Sequence, residues 1–222
     1  MNLTKRVLCL ALACVMLCML CACGNKAEVL AARQEELCAN LWLTITPDSE
    51  EQALALLENI DMYPEEIALV DLTSLEYARI MEYKMDGTYR QYISVEHTKD
   101  LVREFYEGVF HTLYDNRTAL GSLYEEDLAS MDKEQFLTFY ASLYAYEDFY
   151  VLLGEFVDSA YDYQWEDLES GTYTMKSVNI ISIKRTSTDP EADPTGTIPF
   201  KLENGTLTLE YGDGDVTYTK YN

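Results

Sequence analysis

Cysteine almost disappears after residue 23: five of the six lie at positions 9–23, and only Cys38 follows. One cysteine cannot close an intramolecular disulfide, and no Cys-x-x-Cys pair exists beyond that point. Histidine is limited to His97 and His111. On one continuous helix they would sit about 21 Å apart, too far to share a metal ion. The chain has no His-Glu-x-x-His, no Gly-x-Ser-x-Gly and no P-loop, so metal hydrolysis and serine or cysteine triads lack support. Positive charge is scarce as well. The chain has 16 Lys and Arg against 39 Asp and Glu. A surface so acidic repels nucleic acid and anionic lipid headgroups, and its plainest meaning is solubility. Cations or a basic partner are the company it permits.

The longest apolar run sits at the start. Lys5 and Arg6 precede an unbroken apolar stretch from Val7 to Ala22. Its length suits a secretory h-region with its cleavage zone and falls short of a comfortable membrane span. Leu20-Cys21-Ala22-Cys23-Gly24-Asn25 resembles the lipobox of bacterial lipoprotein signal peptides. That resemblance implies diacylglycerol on Cys23 and cleavage before it, with residues 1–22 as the signal peptide. Two acyl chains suffice for stable anchoring, where one is marginal. The alternative is an uncleaved membrane helix. Two basic residues precede Cys23 and every acid follows it, so the mature chain carries 14 positive against 39 negative side chains, a net of −25. Cys38, on a leucine-rich helical face, reads as a buried apolar residue.

About 200 residues then remain, enough for a single domain with an ample core. The organisation expected is a short tether over 23–29 and one α+β domain over 30–222. Lys26 to about Asn40 has helical periodicity through Leu30, Leu37 and Leu41. Leu41–Ile45 alternates as a strand, with Trp42 and Thr44 on one face, and Pro47 stops it. Ser49 with Gln52 forms a capping box for a helix to about Ile60, and Pro64 ends that segment. Asp86-Gly87 predicts a two-residue type I′ hairpin between strands 77–85 and 88–95, which sets Met85 opposite Thr88 and Tyr83 opposite Arg90. Neither face of that hairpin is polar, so both should be covered.

A helical insertion is expected over about 98–163. Thr98 caps a first helix to about Tyr114, and Ser122 with Glu125 opens a short second one. Asp132 and Gln135 open the longest, running to about Tyr163 through Gly154. Strands follow at 171–175 and 178–184, then a loop over 187–196. A three-strand meander closes the chain, with turns at Asn204-Gly205 and Asp213-Gly214. Those turns place Ile198, Phe200, Leu202, Leu207, Leu209, Tyr211, Val216 and Tyr218 on one apolar face. Val216 should oppose Tyr211, and Tyr218 should oppose Leu209.

A second resemblance rests on Trp42, the Glu82-Tyr83-Lys84-Met85-Asp86-Gly87-Thr88-Tyr89 hairpin, Gly171-Thr172-Tyr173, and Asn204-Gly205-Thr206-Leu207-Thr208-Leu209 followed by Thr217-Tyr218-Thr219-Lys220. These are similar to lipocalin-like lipoproteins of gut Firmicutes. The resemblance implies a β-barrel carrying a helical insertion, in a family largely without assigned activity.

No catalytic residue, cofactor or metal ligand is assigned. Carboxylates are numerous enough that pairs at glycosidase spacing arise by chance. Asp213 and Asp215 flank a hairpin tip and read as turn chemistry, because one hairpin offers too few oxygens for Ca²⁺. The stronger signal is aromatic. Tyr140, Tyr144, Tyr146, Tyr150, Tyr161 and Tyr163 crowd one helical stretch, more than one core-facing stripe buries. Tyr140, Tyr144, Tyr146 and Tyr150 form a candidate ligand platform; the plain alternative is core-edge packing. The reading is an α+β domain whose antiparallel sheet can curl into a lipocalin-like barrel, held by lipid at the extracytoplasmic face of the cell membrane. Its first function is non-catalytic binding of a small apolar or aromatic-stacking ligand. The alternatives are a carboxylate-dependent hydrolase of cell-surface glycan and a structural or protein-interaction lipoprotein. The oligomeric state is not legible.

Overall fold

A computed structural model describes residues 26–124, 126–160, 167–186, 195–212 and 214–221. The segment expected as a signal peptide, Cys23, Glu125, Tyr161, Tyr163 and Asp213 lie outside these residues. The chain is α+β. Helix α1 covers residues 26–38, and strand β1 follows at Leu41–Pro47. After α2 (Glu50–Asn59) and α3 (Pro64–Ile67) come β2 (Glu76–Tyr83) and β3 (Thr88–Ile93). Four helices are inserted next: α4 (Val95–Asp115), α5 (Arg117–Tyr124), α6 (Lys133–Leu143) and α7 (Phe149–Ser159). The chain ends with β4 (Asp167–Ser177), β5 (Ile180–Arg185), β6 (Thr195–Glu203), β7 (Thr206–Tyr211) and β8 (Gly214–Tyr221). The strands close into a barrel in sequence order, with β8 pairing back onto β1 through Trp42 opposite Lys220. Among the described residues no helix is long and apolar enough to cross a membrane.

Two compact units emerge. Of the described residues, the first contains those in 26–43, 81–91 and 169–221; the second contains those in 44–80 and 92–168. Each has its own core. The first core fills the barrel interior with Trp42, Tyr83, Tyr173, Ile183, Phe200, Leu209 and Tyr218, all buried. An eight-stranded barrel is just wide enough for its side chains to fill it. Trp42 and Thr44 both face inward, as alternation predicts. The second core is helical and rich in aromatic rings. Phe110 meets Tyr140 and Phe149 edge-on, at 5.4 and 4.9 Å between ring centroids.

The meander matches its apolar face. Phe200 opposes Leu209 and Leu202 opposes Leu207. The last turn comes one residue earlier than expected: Tyr211 pairs with Gly214, so Leu209 opposes Val216 and Leu207 opposes Tyr218. That slip is two residues, which preserves the face.

The first hairpin slips by one. The Lys84 amide donates to Thr88 at 2.9 Å, and the Gly87 amide donates to the Lys84 carbonyl at 3.0 Å. Only Gly87 has positive φ, at 83°. The connection is thus a turn at 84–87 ending in a glycine bulge, not type I′. A one-residue slip exchanges faces, and Tyr83 stacks on Tyr89 instead of opposing Arg90.

Helix boundaries also move. Ser94, not Thr98, is the N-cap of α4. Thr98 is fully buried, and its hydroxyl accepts from the Ala78 amide at 3.2 Å. Pro64 opens α3 instead of ending a segment, because its missing N–H costs nothing at a first helical position. Ser122 lies within α5. The long helix expected from Asp132 to Tyr163 is two. The Asp132–Gln135 capping box forms as expected, but α6 ends at Leu143. Ala145 takes φ of 62°, and the Asp148 carboxylate then caps α7, accepting from the amides of Tyr150 and Val151. A strong N-cap inside an apolar pattern overrides the periodicity. Gly154 lies inside α7 and causes no break.

Candidate functional site

The break between α6 and α7 separates the four tyrosines of the candidate platform. Tyr140 is buried, and its hydroxyl donates to Glu66 Oε1. Tyr144 is half-buried and donates to the Ile60 carbonyl at 2.6 Å; burial pushes its phenol up to about 12. Tyr146 packs, partly buried, against the helical core. Only Tyr150 turns outward, 65 % exposed, with its ring edge-on to Phe149 at 5.6 Å. The four do not share one face, because the positive φ at Ala145 redirects the backbone between Tyr144 and Tyr150.

Tyr150 stands at a surface depression of about 600 Å³ between α6 and the start of α7. Leu137, Phe149 and Tyr150 supply apolar surface; Lys133, Glu134, Glu147 and Asp148 supply charge. A smaller space of about 70 Å³ continues past Leu137 to Phe110 and His111. An exposed ring over an apolar floor with a charged rim can hold a flat or ring-bearing molecule by stacking.

Within the helical unit, sequence reasoning missed Glu66. It is 2 % exposed. Its Oε1 accepts from the hydroxyls of Tyr124, at 2.6 Å, and Tyr140, while Oε2 accepts from the Tyr63 amide at 3.0 Å. Every partner is a donor, so both oxygens are used as acceptors. Burial and the adjacent carboxylate push both phenols well above their usual range. In the barrel unit, Tyr89 donates to Glu169 at 2.6 Å, and Glu169 also pairs with Arg185 at 3.0 Å. Cys38 is half-buried; its Sγ lies 2.9 Å from the Tyr173 hydroxyl, and burial raises its thiol.

The histidines sit apart on α4. His97 Nδ1 lies 3.0 Å from the Ser94 hydroxyl, and His111 Nδ1 lies 3.1 Å from Asp115. Among the described residues no group of three His, Cys, Asp or Glu side chains is placed to hold a metal ion. A comparison of the chain with family models, with curated proteins and with solved structures returns no match.

Proposed function

We propose that this chain is an exported lipoprotein, tethered through Cys23 at the extracytoplasmic face of the cell membrane, that binds a small aromatic-stacking ligand without transforming it. The observation that carries the reading is Tyr150, exposed above Leu137 and Phe149 in the depression between α6 and α7. Charged neighbours on the rim would orient a ligand, while stacking on the ring would supply affinity. The barrel is scaffold in this reading, since side chains occupy its interior. That same filling supports a second reading, a structural or protein-interaction lipoprotein.

Native mass spectrometry of mildly purified protein separates the two. A co-purifying small molecule, lost in Tyr150→Ala, is the expected result. A bare mass for the parent protein, with no small molecule retained, would overturn the binding reading and leave the structural one.

A further inference from the structure

Helix α1 lies across one end of the barrel. The Trp42 indole N–H donates to the Leu37 carbonyl at 2.9 Å. The Tyr173 hydroxyl meets Gln34 and Cys38 of α1 and donates to the Lys84 carbonyl at 3.0 Å. The Arg33 Nε–H donates to the Val178 carbonyl at 3.2 Å. This end therefore gathers α1, the β2–β3 turn, the β4–β5 turn and, by register, the β6–β7 turn. Three large apolar side chains here face solvent: Val29 at 48 %, Val178 at 42 % and Met85 at 56 %. Val29 precedes Arg33 by one turn, so it shares a corner with Val178.

The charge of this end differs from the rest. Its cations are Lys26, Arg33, Lys84, Lys176 and Lys220. Its anions are Glu28, Glu35, Glu36, Asp86 and Glu203. Among the described residues of this end, five cations and five anions balance. Three residue steps separate Cys23 from Lys26, at most about 10 Å of extended chain. A lipid on Cys23 holds the start of α1 within about one Debye length of the headgroups.

We propose that the α1 end of the barrel docks on the membrane, with Val29 and Val178 at the headgroup boundary. The inference rests on the lipid-anchor reading of Cys23. The occupant is a zwitterionic phospholipid surface: a charge-balanced end with exposed valines meets it without repulsion.

The test uses the acylated protein on phosphatidylcholine vesicles whose acyl chains carry bromine, a short-range quencher of indole emission. Single variants Val29→Trp and Val178→Trp report this end. Asp215→Trp, beside the β7–β8 turn, reports the other. Sedimentation with the vesicles reads the tether independently. Co-sedimentation with emission lost at Trp introduced for Val29 and Val178, and retained at that for Asp215, is expected. Co-sedimentation with equal emission at all three would overturn docking and leave the anchor intact. Protein that stays in the supernatant would overturn the anchor, and docking with it.

Discussion

The barrel core and the helical core both bury tyrosines, yet they satisfy the phenol hydroxyls in different ways. In the barrel the partners are neutral or open to solvent: Tyr218 accepts from Gln91 at 3.0 Å, Tyr173 donates to a backbone carbonyl, and Tyr89 reaches a Glu169 already paired with Arg185. In the helical core two phenols converge on Glu66, which is buried and makes no ion pair with lysine or arginine among the described residues. The hairpin turns at the barrel's ends leave backbone carbonyls within reach of phenols, as Lys84 does for Tyr173. The helical core also uses backbone carbonyls, since Tyr144 donates to Ile60 and Tyr106 to Leu56, but Tyr124 and Tyr140 reach no such carbonyl and share one side-chain acceptor. Glu66 is that acceptor, and it ties α3 to α5 and α6.

The sharpest way to break the comparison is Glu66→Leu. It strands one buried and one half-buried hydroxyl at about 1–3 kcal/mol each, so chemical denaturation should report a loss of about 2–6 kcal/mol. The triple variant Glu66→Leu, Tyr124→Phe, Tyr140→Phe should recover most of it, since both phenol donors go with the acceptor and only the amide of exposed Tyr63 is left to find water. The barrel counterpart, Tyr218→Phe, strands only the buried Gln91 amide and should cost about 1–3 kcal/mol, less than Glu66→Leu. Equal losses in the two cores, or no recovery in the triple variant, would show that Glu66 is not what joins these helices.

High pH tests the same contrast by titration. The Tyr144 phenol is raised above its unfolded value of about 10 to about 12 by burial, with nearby Glu66 adding to it. Between those limits the unfolded chain loses the proton first, so stability is full below pH of about 10 and falls as pH rises towards 12. The ceiling is about 1.4 kcal/mol per pH unit, and less for a half-buried, screened group. Tyr144→Phe should therefore flatten the alkaline decline of the melting temperature. An unchanged slope would remove Tyr144 from the alkaline transition.

Legibility in the sequence divides along the same line. The meander was legible because period-two alternation and Asn204-Gly205 constrain each other; even the two-residue slip at the last turn left every side chain on its face. The first hairpin was less so, because Lys84-Met85-Asp86-Gly87 allows a bulged turn as readily as a type I′ turn, and one residue decides which face meets which. Glu66 was not legible at all. Pro64-Glu65-Glu66 looks like an ordinary acidic first turn, and its acceptor role depends on phenols 58 and 74 residues further along. Tyr150 groups with Tyr140, Tyr144 and Tyr146 by sequence spacing, and the positive φ at Ala145 sets it apart.

Turn chemistry gives a smaller test in the barrel. Gly205 sits at φ of 80°, with only the flexible Lys220 side chain near where a Cβ would stand. Gly205→Val should cost about 1–2 kcal/mol, since the left-handed conformation rather than a clash opposes the side chain. An unchanged melting temperature would mean that the turn is formed differently.

The helical unit offers the opposite sign. Gly154 lies inside α7, and a Cβ there would meet nothing within 4 Å. With no positive φ to exploit and no close neighbour to accommodate, this glycine contributes only backbone freedom to the unfolded chain. Gly154→Ala should stabilise by about 0.5–1 kcal/mol, read as a higher denaturation midpoint. The two glycines thus make one measurement: the same class of substitution weakens the barrel, where a turn requires glycine, and strengthens the helices, where none is required. A loss at Gly154 would instead place an unseen neighbour against α7, on the helix that carries Tyr150.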